Sequence, residues 1–174
     1  AEDGGLLPPA DGNLTALALE YGVQTLLHLS TLAEGGGFSS LRAQAVLESD
    51  ALRARLIAET VEQMKRGGYG GVDVDFEFLG AELADAFAGF LGELRAAVHA
   101  AGGTVVCALA PKTSAEQQGV LYEGHDYRRI GENADAVLLM TYEWGYTYGP
   151  PMAVAPIGAV RRVVEYALTQ IPAS

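Results

Sequence analysis

A single cysteine, Cys107, stands in the 174-residue sequence, so no internal disulfide can form. It lies in the apolar run Val105-Val106-Cys107-Ala108-Leu109 with no histidine nearby in sequence. That context reads as a small buried hydrophobe rather than a nucleophile, and one thiol does not decide the redox compartment. Basic residues are also scarce: 11 Lys and Arg against 22 Asp and Glu, a net charge of −11. Such a surface repels nucleic acid, and no Lys/Arg cluster offsets it, so no nucleic-acid partner is expected. The acid surplus as a whole reads as solubility. No run approaches the ~20 apolar residues that a helical membrane span needs, so no membrane partner is expected. No signal-peptide pattern is present, and the chain opens Ala1-Glu2-Asp3-Gly4-Gly5 without an initiator Met, which reads as an excised or processed segment. No Gly-x-Gly-x-x-Gly follows a strand, which leaves a dinucleotide site unsupported. Neither His-x-x-x-His nor a cysteine cluster occurs, so no metal and no cofactor are expected.

What the chain has is apolar substance, 49% of residues, arranged as alternating strand and helix. Asn13 caps a predicted short helix through Tyr21, and Thr25 to Ser30 reads as a buried strand. Ser39 or Ser40 caps a predicted helix from Leu41 to Leu47. Ser49 caps another from Asp50 to Arg66, stopped by Gly67-Gly68. Gly71 to Phe78 is a second strand. A helix from Ala81 to Ala101, a strand from Thr104 to Ala110 and a short helix near Tyr127 follow. Ala136 to Tyr142 is a fourth strand. A long aromatic loop, 143–155, leads to Pro156 in the first turn of a last helix ending near Gln170. His28 falls inside a strand, and His99 and His125 fall on helices. This alternation with near-continuous apolar strands predicts the α/β class, a parallel sheet covered by helices. Strand starts near positions 72, 104 and 136 suit a doubly wound sheet or a (β/α)8 TIM barrel. A whole barrel takes ~250 residues, so a barrel here is expected to be incomplete, one partial domain over 1–174.

The informative segment is Gly70-Gly71-Val72-Asp73-Val74-Asp75-Phe76-Glu77-Phe78. Side chains alternate along a strand, so Asp73, Asp75 and Glu77 share one face while Val72, Val74, Phe76 and Phe78 pack under helices. The pattern alone equally describes the wet face of an antiparallel strand. In a parallel barrel that face is the interior, where three carboxylates are costly unless hydrogen-bonded or protonated. Carboxylates at i and i+2 sit ~7 Å apart along the strand, and their repulsion raises at least one pKa. A carboxylic acid held protonated near neutrality is what a glycosidic oxygen requires as general acid. Glu77 lies nearest the C-terminal end of the strand, where barrel active sites sit, with Asp75 and Asp73 progressively deeper.

At these residues the chain resembles glycoside hydrolase family 18, the chitinase-like enzymes. Gly71-Val72-Asp73-Val74-Asp75-Phe76-Glu77 is similar to the family's Asp-Gly-x-Asp-x-Asp-x-Glu signature, with Gly70 in place of the first Asp. Leu139-Met140-Thr141-Tyr142-Glu143-Trp144 is similar to its Met-x-Tyr-Asp, with Glu143 replacing Asp. Ala108-Leu109-Ala110-Pro111-Lys112-Thr113-Ser114, the run Thr141 to Tyr146, and Gly149-Pro150-Pro151-Met152-Ala153 resemble a narrower branch, the spore-cortex and cell-wall N-acetylglucosaminidases of spore-forming bacteria. The resemblance runs from Leu14 to Pro172, and it equates the strands with barrel strands three to six, plus part of the second unit.

The resemblance implies retaining, substrate-assisted cleavage of an N-acetylglucosamine-containing polysaccharide, in a secreted parent associated with the spore or cell wall. Glu77 is then the acid and later the base that activates water. The sugar's 2-acetamido oxygen is the nucleophile. Asp75 holds the acetamido N–H, Asp73 tunes Asp75, and Tyr142 donates its hydroxyl to the acetamido oxygen. Met140, Glu143, Trp144, Tyr146 and Lys112 are the expected substrate contacts, Glu143 accepting from a sugar hydroxyl and the aromatic residues stacking on rings. The competing readings are a chitinase-like glycan-binding module that does not cut, against which Glu77 argues, and an inactive barrel fragment. Cut barrel edges predict self-association.

Overall fold

The computed structural model describes residues 3–172 except Pro8, Ala10, Gly12 and Glu34. Ala1 and Glu2 of the opening segment lie outside the described residues. Four parallel strands form one sheet in the order β1 (Leu26–Ser30), β2 (Gly71–Asp75), β3 (Thr104–Leu109) and β4 (Ala136–Leu139). Between and around them run α1 (Leu14–Glu20), α2 (Ser40–Leu47), α3 (Asp50–Gly67), α4 (Ala84–Ala100), α5 (Tyr127–Asn133) and α6 (Ile157–Gln170). α3 packs on β1, α4 packs on β3, and α3, α4, α5 and α6 touch in succession. Strands in chain order with helices side by side on one face are consecutive units of a (β/α)8 barrel wall. Among the described residues β1 and β4 each pair on one side only.

The caps follow local chemistry. Ser39 Oγ accepts from Arg42 N–H, and Ser49 Oγ accepts from Leu52 N–H, satisfying donors that α2 and α3 cannot use internally. Asn13 stands at the N-cap of α1 but makes no side-chain cap bond, and no α1 residue is buried. The helix face of the sheet is Leu27, Leu29, Val72, Val74, Val105, Cys107 and Leu109, all buried. These pack against Phe87, Phe90, Leu91, Leu94 and Val98 of α4 in one core. At roughly 1.5–3 kcal/mol for each large side chain removed from water, this layer holds the sheet in register. Gly71 is needed where β2 meets β3: a Cβ there would lie 2.2 Å from the Thr104 carbonyl oxygen.

Two strands end sooner than alternation predicts. β2 stops at Asp75, not Phe78, because its ladder partners run out at Ser30 and Cys107. Phe76 stays buried between Phe87 and Phe90, with ring centroids 5.7 and 5.5 Å away, but Phe78 turns outward with φ 57°. Phe78 therefore does not pack under helices; it is exposed and lies by Phe38, 6.3 Å centroid to centroid. β4 stops at Leu139, not Tyr142. Met140 N–H still donates to Leu109, but Thr141 N–H folds back onto the Leu139 carbonyl, a tight turn that takes Tyr142 off the strand. The helix expected from Ala81 starts as a 3-10 turn, Ala81–Leu83. His125 is not helical; it is buried in the segment before α5.

Candidate active site

The unburied side of the sheet carries His28 on β1 and Asp73 and Asp75 on β2, aligned by the register His28 to Asp73 and Ser30 to Asp75. Asp73 and Asp75 side chains are 21% and 13% exposed, so they are shielded rather than bathed in solvent. Asp73 Oδ2 lies 2.8 Å from His28 Nδ1, and Asp75 Oδ2 lies 3.8 Å from His28 Nε2. Oδ1 of each aspartate is buried with no hydrogen-bond partner among the described residues. A buried carboxylate oxygen left unpaired is costly.

Glu77 follows at the C-terminal end of β2, half-buried. Burial pushes its carboxyl above the usual carboxylate range, and the charges of Asp75 and Glu143 add to this. Asp75 is also raised: burial is the first cause, His28 opposes it and Asp73 reinforces it. The Tyr142 hydroxyl is raised by partial burial and then by the charges of Asp75, Glu143, Glu77 and Asp73. The turn after β4 thus brings Tyr142 into the field of the three acids and the charge of Glu143 beside Glu77. Glu77 and Tyr142 are each followed by a non-glycine residue in the left-handed region, Phe78 and Glu143, both at φ 57°. Such positions cost of order 1–3 kcal/mol and cluster at functional sites.

The remaining sequence-predicted residues divide. Met140 and Trp144 are half-buried and Tyr146 is exposed on the loop after β4. Trp144 N–H of the backbone donates to Val154, while its indole Nε1 is buried without a partner among the described residues. Lys112 does not belong with this group. It is buried, its Nζ donates to the His125 carbonyl at 3.1 Å, and it lines a cleft with Glu123, Asp126, Tyr127 and Tyr166. The loop after β3 folds inward and seats the lysine in that cleft, and it is not among the groups that act on Asp75 or Glu77.

Two histidines were not singled out from sequence. His28 carried a usable signal: Leu27 and Leu29 are core residues, so alternation puts His28 on the acidic face. His125 carried none. Its Nδ1 accepts from Ala110 N–H at 2.9 Å, and its Nε2–H donates to the Phe76 carbonyl at 2.9 Å, tying the ends of β2 and β3 together just before Glu77. Burial pushes its pKa down to about 4, with nearby Lys112 adding to this against the Phe76 bond, so the ring is neutral. Gly124 permits the close approach: its N–H donates to Leu79, and a Cβ would lie 2.7 Å from that same carbonyl oxygen. Tyr127 completes the seal, donating to Ala110 and accepting from Lys112 N–H.

Comparison with known proteins now decides the family. The model of glycosyl hydrolases family 18 matches residues 13–170. The chain belongs to glycosyl hydrolases family 18. Within it, the chain is 45% identical to a cortical fragment-lytic enzyme of Bacillus subtilis, over 99% of this chain and 40% of that protein. A solved structure of the spore cortex-lytic enzyme SleL from Bacillus megaterium superposes with TM-score 0.91 at 39% identity, covering 98% of this chain and 39% of that one. SleL of Bacillus cereus gives TM-score 0.92 at 31% identity, over 99% and 40%. A class V chitinase from Pseudomonas fluorescens shares the fold, TM-score 0.89 at 24% identity. The chain thus spans about two fifths of the length of these cortex-lytic relatives and 55% of that chitinase.

Proposed function

We propose that this chain carries the catalytic carboxylates of a glycosidase that cleaves β-linked N-acetylglucosamine glycan of the spore cortex or cell wall by a retaining, substrate-assisted route. The observation that carries the reading is the pair of buried Oδ1 atoms on Asp73 and Asp75, without partners among the described residues, beside Glu77, whose carboxyl burial pushes above the usual carboxylate range. An acetamido N–H is a donor of the kind Asp75 lacks. The neighbouring acetamido oxygen then attacks the anomeric carbon as Glu77 protonates the departing glycosidic oxygen. The oxazolinium cation so formed is balanced by ionised Asp75. Glu77, now a carboxylate, takes the proton of the water that opens the ring. Tyr142 donates to the acetamido oxygen. Met140, Glu143, Trp144 and Tyr146 border the sugar. A spore or cell-wall location for the parent protein, outside the cell membrane, accords with that substrate.

Glu77→Gln keeps the shape and removes the proton donor. Turnover of an N-acetylglucosamine oligomer is expected to fall about 10²–10⁴-fold, the usual span for a general acid. Equal turnover by both chains would remove the hydrolytic assignment and leave glycan binding. Among the described residues β1 and β4 each leave one edge unpaired, which supports a second proposal, self-association of this chain by strand pairing. Sedimentation is expected to show dimers or larger species, and a monomer across a hundredfold concentration range would discard it.

A further inference from the structure

His28 reaches the acid group from the neighbouring strand. Both its ring nitrogens face carboxylate oxygens: Nδ1 lies 2.8 Å from Asp73 Oδ2, and Nε2 lies 3.8 Å from Asp75 Oδ2. Because Oδ2 of each aspartate is turned toward the ring, the unpartnered Oδ1 of each stays directed away from it. One side chain thus hydrogen-bonds Asp73 and lies within ion-pair distance of Asp75.

We infer that His28 is the positioning residue of the acid group: as imidazolium it donates to Asp73, fixes that carboxylate in one orientation, and sets a positive charge against Asp75. This rests on the assignment of Asp73, Asp75 and Glu77 to hydrolysis. The surroundings make such a charge necessary. Asp75 is faced by Asp73 and Glu77 from its own segment and by Tyr142 from the turn after β4, where Glu143 adds its charge beside Glu77. All of these are acids. Among the described residues the countercharge on Asp75 comes from His28. Arg42 of α2 lines the same small cavity as His28, about 170 Å³, but donates to the Leu32 carbonyl. Without that cation, the Asp73 charge and burial act on Asp75 unopposed and disfavour the ionised form that balances the oxazolinium. The histidine pKa is itself raised above its usual range, first by the Asp73 hydrogen bond and then, against partial burial, by both aspartate charges.

The test has two arms on the 174-residue chain. In the first, the His28 ring is titrated by NMR in wild type and in Asp73→Asn. The expected midpoint lies above the ordinary histidine value near ~6.5 and falls toward it in the variant. In the second, kcat/KM on an N-acetylglucosamine oligomer is followed against pH for wild type, His28→Asn and His28→Phe. The acid limb reports ionisation of Asp75 in the free enzyme. It is expected to move to higher pH in both variants, since the group that pulls Asp75 down is gone. His28→Phe is expected to lose about 10²-fold in kcat by misplacement, and His28→Asn, which keeps a donor, to recover part of it. Lost rate with an unmoved acid limb would reduce His28 to ordinary packing and overturn the inference. So would an ordinary midpoint that ignores Asp73→Asn. Wild-type turnover by Glu77→Gln would instead remove the hydrolytic reading, and the NMR arm would still decide the His28 contact.

Discussion

Asp75 and Asp135 are the same residue type at opposite ends of one parallel sheet, and their surroundings drive them in opposite directions. Asp135 sits before β4 at the N-terminal end. Its carboxylate accepts from Val105 N–H at 2.7 Å, Arg95 Nε at 2.7 Å and His99 Nε2 at 2.9 Å. Burial alone would raise its pKa, but the Val105 bond with His99 and Arg95 outweighs it and holds the carboxyl below the usual range. Asp75, at the C-terminal end, has burial without such donors and stands above that range. A satisfied carboxylate ties strands together, whereas one without donors carries the cost of its burial. The same contrast separates the two ends of barrels in general, stability at the bottom and chemistry at the top.

Exchanging each aspartate for asparagine sharpens this most. Asp75→Asn is expected to lower kcat by about 10²–10³-fold, the scale of one lost electrostatic stabiliser. Stability should not fall, because a raised acid disfavours folding as pH climbs from its unfolded pKa through its folded one, and Asn removes that penalty. Thermal melts that drop sharply for Asp75→Asn would break the comparison.

His125→Ala comes next. It strands the Ala110 N–H and the Phe76 carbonyl in the core, at about 3 kcal/mol, measured by urea unfolding. The wild-type ring is neutral with its pKa lowered to about 4. Its contribution is therefore full above the unfolded histidine value near ~6.5 and is lost as pH falls from there through the folded value. The variant should lack that slope, and an unchanged slope would show that His125 is not the group being protonated.

Asp135→Asn has the smallest expected effect, about 2 kcal/mol of stability with turnover near wild type. Its depressed pKa means that stability is present above the unfolded aspartate value near ~3.9 and lost as pH falls below it. Acid unfolding of wild type and variant should therefore converge at low pH. Curves that stay parallel would contradict the assigned role.

The strands, the serine caps and the acidic face could all be read from residue order, because each depends on neighbours a few positions away. So could the Asp73-x-Asp75-x-Glu77 spacing, since a period of two suffices to place three carboxylates together. Alternation failed at Phe78 and past Leu139, where the ladder partners ended and the chain turned. The seat of Lys112 was not legible for a related reason: the loop after β3 folds inward to a carbonyl supplied by His125, thirteen residues on.

Sequence by itself determined the α/β alternation, the core face of each strand and the presence of three acids on the other face, since these follow from local periodicity. Only the tertiary structure decided which groups meet those acids. His28 comes from a strand 45 residues earlier, His125 clamps the Phe76 carbonyl from 49 residues later, and Tyr142 enters from a turn beyond the end of β4. Hydrogen bonds and charges act through space over a few ångströms, and no pattern along the chain specifies which distant residues will come within that reach.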